Sequence, residues 1–137
     1  MSKVSMSTKV SASADAVWDL VGRFNGLPDW HPGVEKSELE HEGAVRRLGL
    51  VGGGTIIERL ERIDDNERVY SYTIEDSPLP IKGYRSVIRV RDDGEGGAEI
   101  DWSSEFSPAG VPEGDAAAAV EGIYRAGLDN LKKMFGG

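Results

Sequence analysis

Two glutamates, Glu58 and Glu105, are the residues of this 137-residue chain best suited to proton transfer. A carboxyl group shut into apolar surroundings can have its pKa raised by as much as ~3–5 units. A neutral acid beside an ionised partner can then drive an aldol cyclisation or a dehydration. The same groups can instead hold ordered water or a ligand hydroxyl. Glu58 alternates with Ile56 and Leu60, so it looks into an apolar interior. The face of Glu105 is divided: strict alternation sets Ile100, Trp102 and Phe106 on one side and Asp101, Ser103 and Glu105 on the other, which turns Trp102 inward unless a bulge intervenes. Tyr84 and Ser86 share a face with Ile88 and Val90. Hydroxyls among apolar groups suit hydrogen bonding to a ligand or water, or a tyrosine rooted in the core with its OH at the edge.

Other chemistries are disfavoured by composition and spacing. There is no cysteine, which removes disulfides, thiolate metal ligands and thiol nucleophiles, and fits a reducing, cytoplasmic setting. The two histidines, His31 and His41, have no supporting acid at motif spacing, so no metal site is expected; Trp30 with His31 reads as a structural Trp closing one end of a cavity. Gly52-Gly53-Gly54 lacks the Gly-Lys-Ser/Thr that would make a phosphate loop, and reads as a flexible flap or a plain hairpin turn. Asp64-Asp65-Asn66 lacks the spacing and terminal Glu of a calcium loop and reads as a turn. No cofactor is implied. With 24 acidic against 16 basic residues, the charge of −8 opposes binding to nucleic acid. The alternating start Met1–Val10 does not resemble a signal peptide, and no apolar run approaches the roughly 20 residues of a membrane span.

The elements that must position these groups follow from periodicity. Lys3–Val10 alternates as a strand. Ser13 offers an N-cap to a helix carrying Val17, Leu20, Val21 and Phe24, and Leu27–His31 suits one more helical turn. Six strands then follow as a meander: Val34–Glu42, Ala44–Val51, Thr55–Ile63, Arg68–Glu75, Tyr84–Arg91 and Ala98–Ser107. Beyond Pro112, the stripe Val120, Ile123, Tyr124, Gly127, Leu128, Leu131, Met134 and Phe135 predicts one long helix. The expected architecture is a single α+β domain over 1–137: a seven-stranded curved antiparallel sheet around the C-terminal helix, with two short helices after the first strand. Sheet and helix diverge somewhere, and that gap is a natural small-molecule site.

The element order, the run Phe24-Asn-Gly-Leu-Pro-Asp-Trp30-His31-Pro32, the Glu58-Arg59-Leu60 strand and Tyr84-Arg85-Ser86-Val87 resemble the START/Bet v 1-like (SRPBCC) superfamily with its helix-grip fold. Within it the chain looks most like bacterial polyketide cyclase/dehydrase-like proteins, and it is also similar to plant abscisic acid receptors. The resemblance implies a ligand cavity touched by Glu58, Tyr72, Ile74, Tyr84, Ser86, Glu105, Ile123 and Tyr124. It implies a gate loop over Gly49–Gly53, including Leu50 and Val51, and a latch loop over Leu79-Pro80-Ile81. The receptor lysine that pairs the hormone carboxylate falls on Glu35 and the helix asparagine on Gly127, so a carboxylate there meets like charge and abscisic acid is excluded. Three functions fit: binding of a small, mostly apolar, uncharged polyketide, lipid or aromatic; a cyclase or dehydratase using Glu58, Glu105 and Tyr84; or, more weakly, a protein–protein module. Lipid bilayers are not spanned, and the oligomeric state is left open.

Overall fold

A computed structural model describes residues 2–136. Strand β1 (Ser2–Val10) leads through the Ser13 cap, whose side chain accepts from the Ala16 N–H, into helix α1 (Ala14–Val21). A 3-10 segment, Phe24–Asp29, follows. Then come β2 (Val34–Glu40), β3 (Val45–Leu50), β4 (Thr55–Asp64), β5 (Val69–Asp76), β6 (Ile81–Asp92) and β7 (Ala98–Pro108), and helix α2 (Glu113–Phe135) closes the order. The strands form one antiparallel sheet in the order β1-β7-β6-β5-β4-β3-β2. The helix-grip expectation therefore holds.

Local chemistry moved several boundaries. β2 stops at Glu40 because His41 and Glu42 take positive φ, 50° and 57°, in a short 3-10 turn; His41 is exposed there rather than on a strand. Asp64 Oδ1 accepts from the Asn66 and Glu67 N–H groups, which makes that acidic run the expected turn. The α2 stripe is buried at Val120, Tyr124, Gly127, Leu128 and Leu131, while Met134 is exposed.

Register shifts between Val34 and Lys36, at two points of the β4–β5 pairing, and between Lys82 and Arg85 add local twist. They help the sheet curl. Helix α2 lies chiefly over β1 and β7, so it covers one half of the sheet and parts from the half containing β3, β4 and β5. The opening of the fold is built there.

Close approach of α2 depends on Gly127. A Cβ at that position would stand 2.7 Å from His31 Cδ2, 2.9 Å from Trp30 Cζ3 and 3.0 Å from Trp102 Cζ3. Alanine favours a helix over glycine by ~1 kcal/mol, but overpacking typically costs ~1–3 kcal/mol. Gly127→Ala is thus expected to destabilise the protein by up to about 2 kcal/mol in denaturant unfolding; a gain in stability would mean that the three rings are free to shift.

Candidate functional site

Between α2 and the uncovered half of the sheet lies a cavity of about 210 Å³. The 3-10 segment and its exit contribute Leu27, His31, Gly33 and Val34. The sheet contributes Leu48, Ile56, Glu58, Tyr72, Ile74, Tyr84 and Trp102, and the helix Val120 and Ile123. Leu50 ends β3, and Val51 and Leu79 stand on the two loops at the cavity mouth. Val51 is 61% exposed. Gly52, Gly53 and Gly54 all have φ near +90° to +110°, a region open to glycine at no steric cost, which explains the triplet.

The wall is apolar except for a few groups. Chief among them is Glu58, buried and set against Arg46, its cross-strand partner in the β3–β4 register. Arg46 Nε and Nη2 lie 2.8 and 2.7 Å from Glu58 Oε1. Arg46 Nη1 donates to the Phe24 carbonyl at 2.6 Å. The guanidinium lies over the Phe24 ring at 4.3 Å and the Tyr72 ring at 4.9 Å. Burial pushes the Glu58 carboxyl above its ordinary range, and the Arg46 charge and hydrogen bond pull it partly back. Burial also opposes the Arg46 charge, but Tyr70, Glu58 and Tyr72 outweigh it and hold the guanidinium above its ordinary pKa. The two directions conflict, since one favours a neutral acid and the other an anion. Geometry decides for the ion pair: Arg46 is fully buried, and Glu58 is the anion in contact with it, so a neutral acid would strand a buried cation.

A second polar chain runs through hydroxyls. Ser86 Oγ donates to the Ser103 carbonyl at 2.9 Å, which can only accept. Ser86 therefore accepts from Tyr124 OH at 2.9 Å and from Trp102 Nε1 at 3.1 Å. Having donated to Ser86, Tyr124 OH accepts from Tyr84 OH, its close partner. Trp102 Nε1 also donates to Tyr72 OH at 3.0 Å. Burial pushes all three tyrosines up, Tyr124 to about 12 and the other two well above their ordinary value, so they are neutral hydrogen-bonding groups. On the cavity side Tyr84 offers an acceptor, its proton being committed to Tyr124.

His31 is the other titratable group in the wall. Its Nδ1 accepts from the Gly33 N–H at 3.0 Å, so Nε2 carries the proton and donates to the Ile123 carbonyl at 2.7 Å. Both nitrogens are engaged in joining the 3-10 exit to α2, and burial pushes the pKa below 6.5. A depressed histidine contributes stability above its unfolded pKa and loses it as pH falls through the range below. The stability gap between the wild type and His31→Gln is accordingly expected to narrow on acidification from pH 7 towards 5. A gap that widens would show that His31 is held charged.

Of the expected site residues, Leu50, Val51, Glu58, Tyr72, Ile74, Leu79, Tyr84 and Ile123 line the cavity. Ser86 and Tyr124 are buried one layer behind, acting through Tyr84 and Trp102. Trp30 is buried behind the wall, 5.4 Å from the Trp102 ring, and Gly127 lies under those rings. Ile81 starts β6 outside the cavity. Two placements are corrected. Glu105 is on the outer face, its carboxylate 3.5 Å from Lys3 Nζ with more than half its side chain exposed, because β7 pairs without a bulge from Glu105 to Ala98 and alternation is kept. Glu35 is exposed because Val34 and Lys36 pair with consecutive residues of β3, leaving Glu35 as the bulged, outward residue. The paired carboxylates expected in the cavity therefore reduce to Glu58 alone. Arg46 is the main omission; its parity with Leu48 and Leu50 was the available signal.

The family described as polyketide cyclase/dehydrase and lipid transport matches residues 1–136. The solved structure of XoxI from Bacillus cereus superposes with a TM-score of 0.96 at 40% identity, over 98% of this chain and 96% of that one. The abscisic acid receptor PYL2 of Arabidopsis thaliana is 27% identical over 139 residues, covering 92% of this chain and 73% of the receptor. The Zhui aromatase/cyclase of Streptomyces sp. R1128 shares the fold at a TM-score of 0.80 and 20% identity, over 97% of this chain and 92% of that one.

Proposed function

Because the chain belongs to the polyketide cyclase/dehydrase and lipid transport family, within the START/Bet v 1-like superfamily, we propose that it binds a small, mostly apolar, uncharged molecule in the cavity between sheet and α2. The observation that carries this reading is the wall itself: aliphatic and aromatic side chains surround a few polar groups, and the one carboxylate among them has its charge balanced from behind by Arg46. At about 210 Å³ the space is below the ~300–1,000 Å³ of drug-sized pockets. It suits a compact aromatic or a short polyketide or acyl fragment unless the two mouth loops open.

A cyclase or dehydratase is supported by the family and by Glu58 within an apolar wall. Among the described residues a second proton-transfer group is poorly supplied: Glu105 lies outside, both His31 nitrogens are engaged, the Tyr84 proton is committed, and burial holds the Tyr72 phenol neutral, well above its ordinary pKa. Binding is therefore the stronger reading. Native mass spectrometry of freshly purified protein is expected to show a retained small molecule, and calorimetry a saturable site for 1-naphthol. Ile123→Trp, which fills the cavity from α2, is expected to weaken 1-naphthol by more than tenfold with the unfolding midpoint little changed. Undiminished binding in that variant would place the ligand elsewhere.

A further inference from the structure

Arg46 is the one buried cation among the described residues, and it does not itself line the cavity. It stands behind Glu58. Both of its contacts with that residue, from Nε and Nη2, fall on Oε1. Oε2 takes no hydrogen bond from the described residues, although Glu58 is part of the cavity wall. The remaining donor, Nη1, goes to the Phe24 carbonyl, and the rings of Phe24 and Tyr72 cover the guanidinium. The cation is thus locked on one oxygen and leaves the other open.

The groups facing Glu58 from the neighbouring elements sharpen this. From β3 comes Arg46; from β5, Tyr72, with Tyr70 beside Arg46; from β6, Tyr84; from the 3-10 exit, His31; and from α2, Tyr124 behind Tyr84. Tyr84 presents an acceptor, and neutral His31 has no free nitrogen. No group in the wall offers a positive charge to a ligand.

We propose that Arg46 is a positioning residue that sets the charge preference of the cavity, holding Glu58 as a carboxylate with Oε2 as the open acceptor, so that the site takes a hydroxyl donor on an apolar skeleton and rejects a carboxylate. This rests on the binding reading above and deepens it. A ligand hydroxyl donating to Oε2 makes a charge-assisted hydrogen bond within a largely apolar wall. A ligand carboxylate there would meet like charge, which in low dielectric is strongly unfavourable.

The test uses the full chain and two probes of one skeleton, 1-naphthol and the 1-naphthoate anion, compared by calorimetry at pH 7. The wild type is expected to bind 1-naphthol at least tenfold more tightly, a difference of about 1.4 kcal/mol. Glu58→Gln leaves the Arg46 charge uncompensated behind the wall, and the preference is expected to reverse in favour of naphthoate. Arg46→Lys retains the cation and is expected to keep the wild-type order. The double variant Arg46→Met/Glu58→Gln carries no buried charge, which lets it fold where Glu58→Gln alone does not; desolvating the naphthoate carboxylate still disfavours the anion there, so the preference for 1-naphthol is expected to remain but to be at least about threefold smaller than in the wild type. Equal binding of both probes by the wild type overturns the proposal while leaving the binding reading intact. So does a double variant whose preference is as large as that of the wild type. Failure of both probes to bind the wild type overturns both readings.

Discussion

An Arg46→Met variant is expected to lose about 3–5 kcal/mol of stability at neutral pH, the usual cost of removing one partner from a buried ion pair. The loss comes less from the missing contact than from what is left: a Glu58 carboxylate in an apolar wall without the cation that balances it. The pH dependence identifies the cause. Burial already raises the Glu58 carboxyl, and Arg46 is the influence holding it down. Without Arg46 the folded-state pKa climbs further above the unfolded value of ~4.3. A raised group contributes its stability below the unfolded pKa and loses it as pH rises through the folded pKa. The deficit of Arg46→Met relative to the wild type should therefore be small near pH 4.5 and grow towards neutrality. Adding Glu58→Gln should recover most of it at pH 7. A deficit independent of pH, or unrelieved by the second change, would show that Arg46 matters through packing over Phe24 and Tyr72 instead.

This pair also shows where reading the chain stops. The fold was legible because each element carries its own period: β4 to β7 alternate, and the α2 stripe persists for several turns. Glu58 was legible for the same reason, as a polar residue on an apolar parity between Ile56 and Leu60. Arg46 was harder. It is followed by Arg47, and adjacent arginines read as an exposed, charged strand; in the fold one points into the core and the other pairs Glu40 on the surface. Parity with Leu48 favours Arg46 as the inward one, but its partner is set by the β3–β4 register, which the loop through Gly52–Gly54 fixes. Glu35 failed for a different reason. A single bulge between Val34 and Lys36 moves one side chain across the sheet, and nothing in the local residue types marks it. His31 entered the wall through a contact with α2, at a sequence separation that periodicity does not reach, whereas the inward face of Trp102 follows from alternation.

The face of β7 is where hydrophobic alternation and family resemblance gave opposite answers, and it yields the other large effect. Trp102 is 2% exposed. Its ring stacks on Tyr124 with centroids 4.3 Å apart, and its Nε1–H donates to Tyr72 and Ser86. Replacing a buried tryptophan with alanine costs ~3–5 kcal/mol through lost burial and the cavity left behind. Trp102→Ala should fall in that range, and it also leaves the Ser86–Tyr124 hydroxyls and the His31 ring without a neighbour. Glu105→Ala should change stability by less than about 0.5 kcal/mol, because an exposed pair such as Lys3–Glu105 is screened by water. A one-residue slip of β7 would exchange these two costs, since every side chain of the strand would change face. Denaturant unfolding of the two variants side by side therefore tests the register directly: comparable losses, or a larger loss for Glu105→Ala, would return the glutamate to the cavity and restore the paired carboxylates that an acid–base enzyme needs.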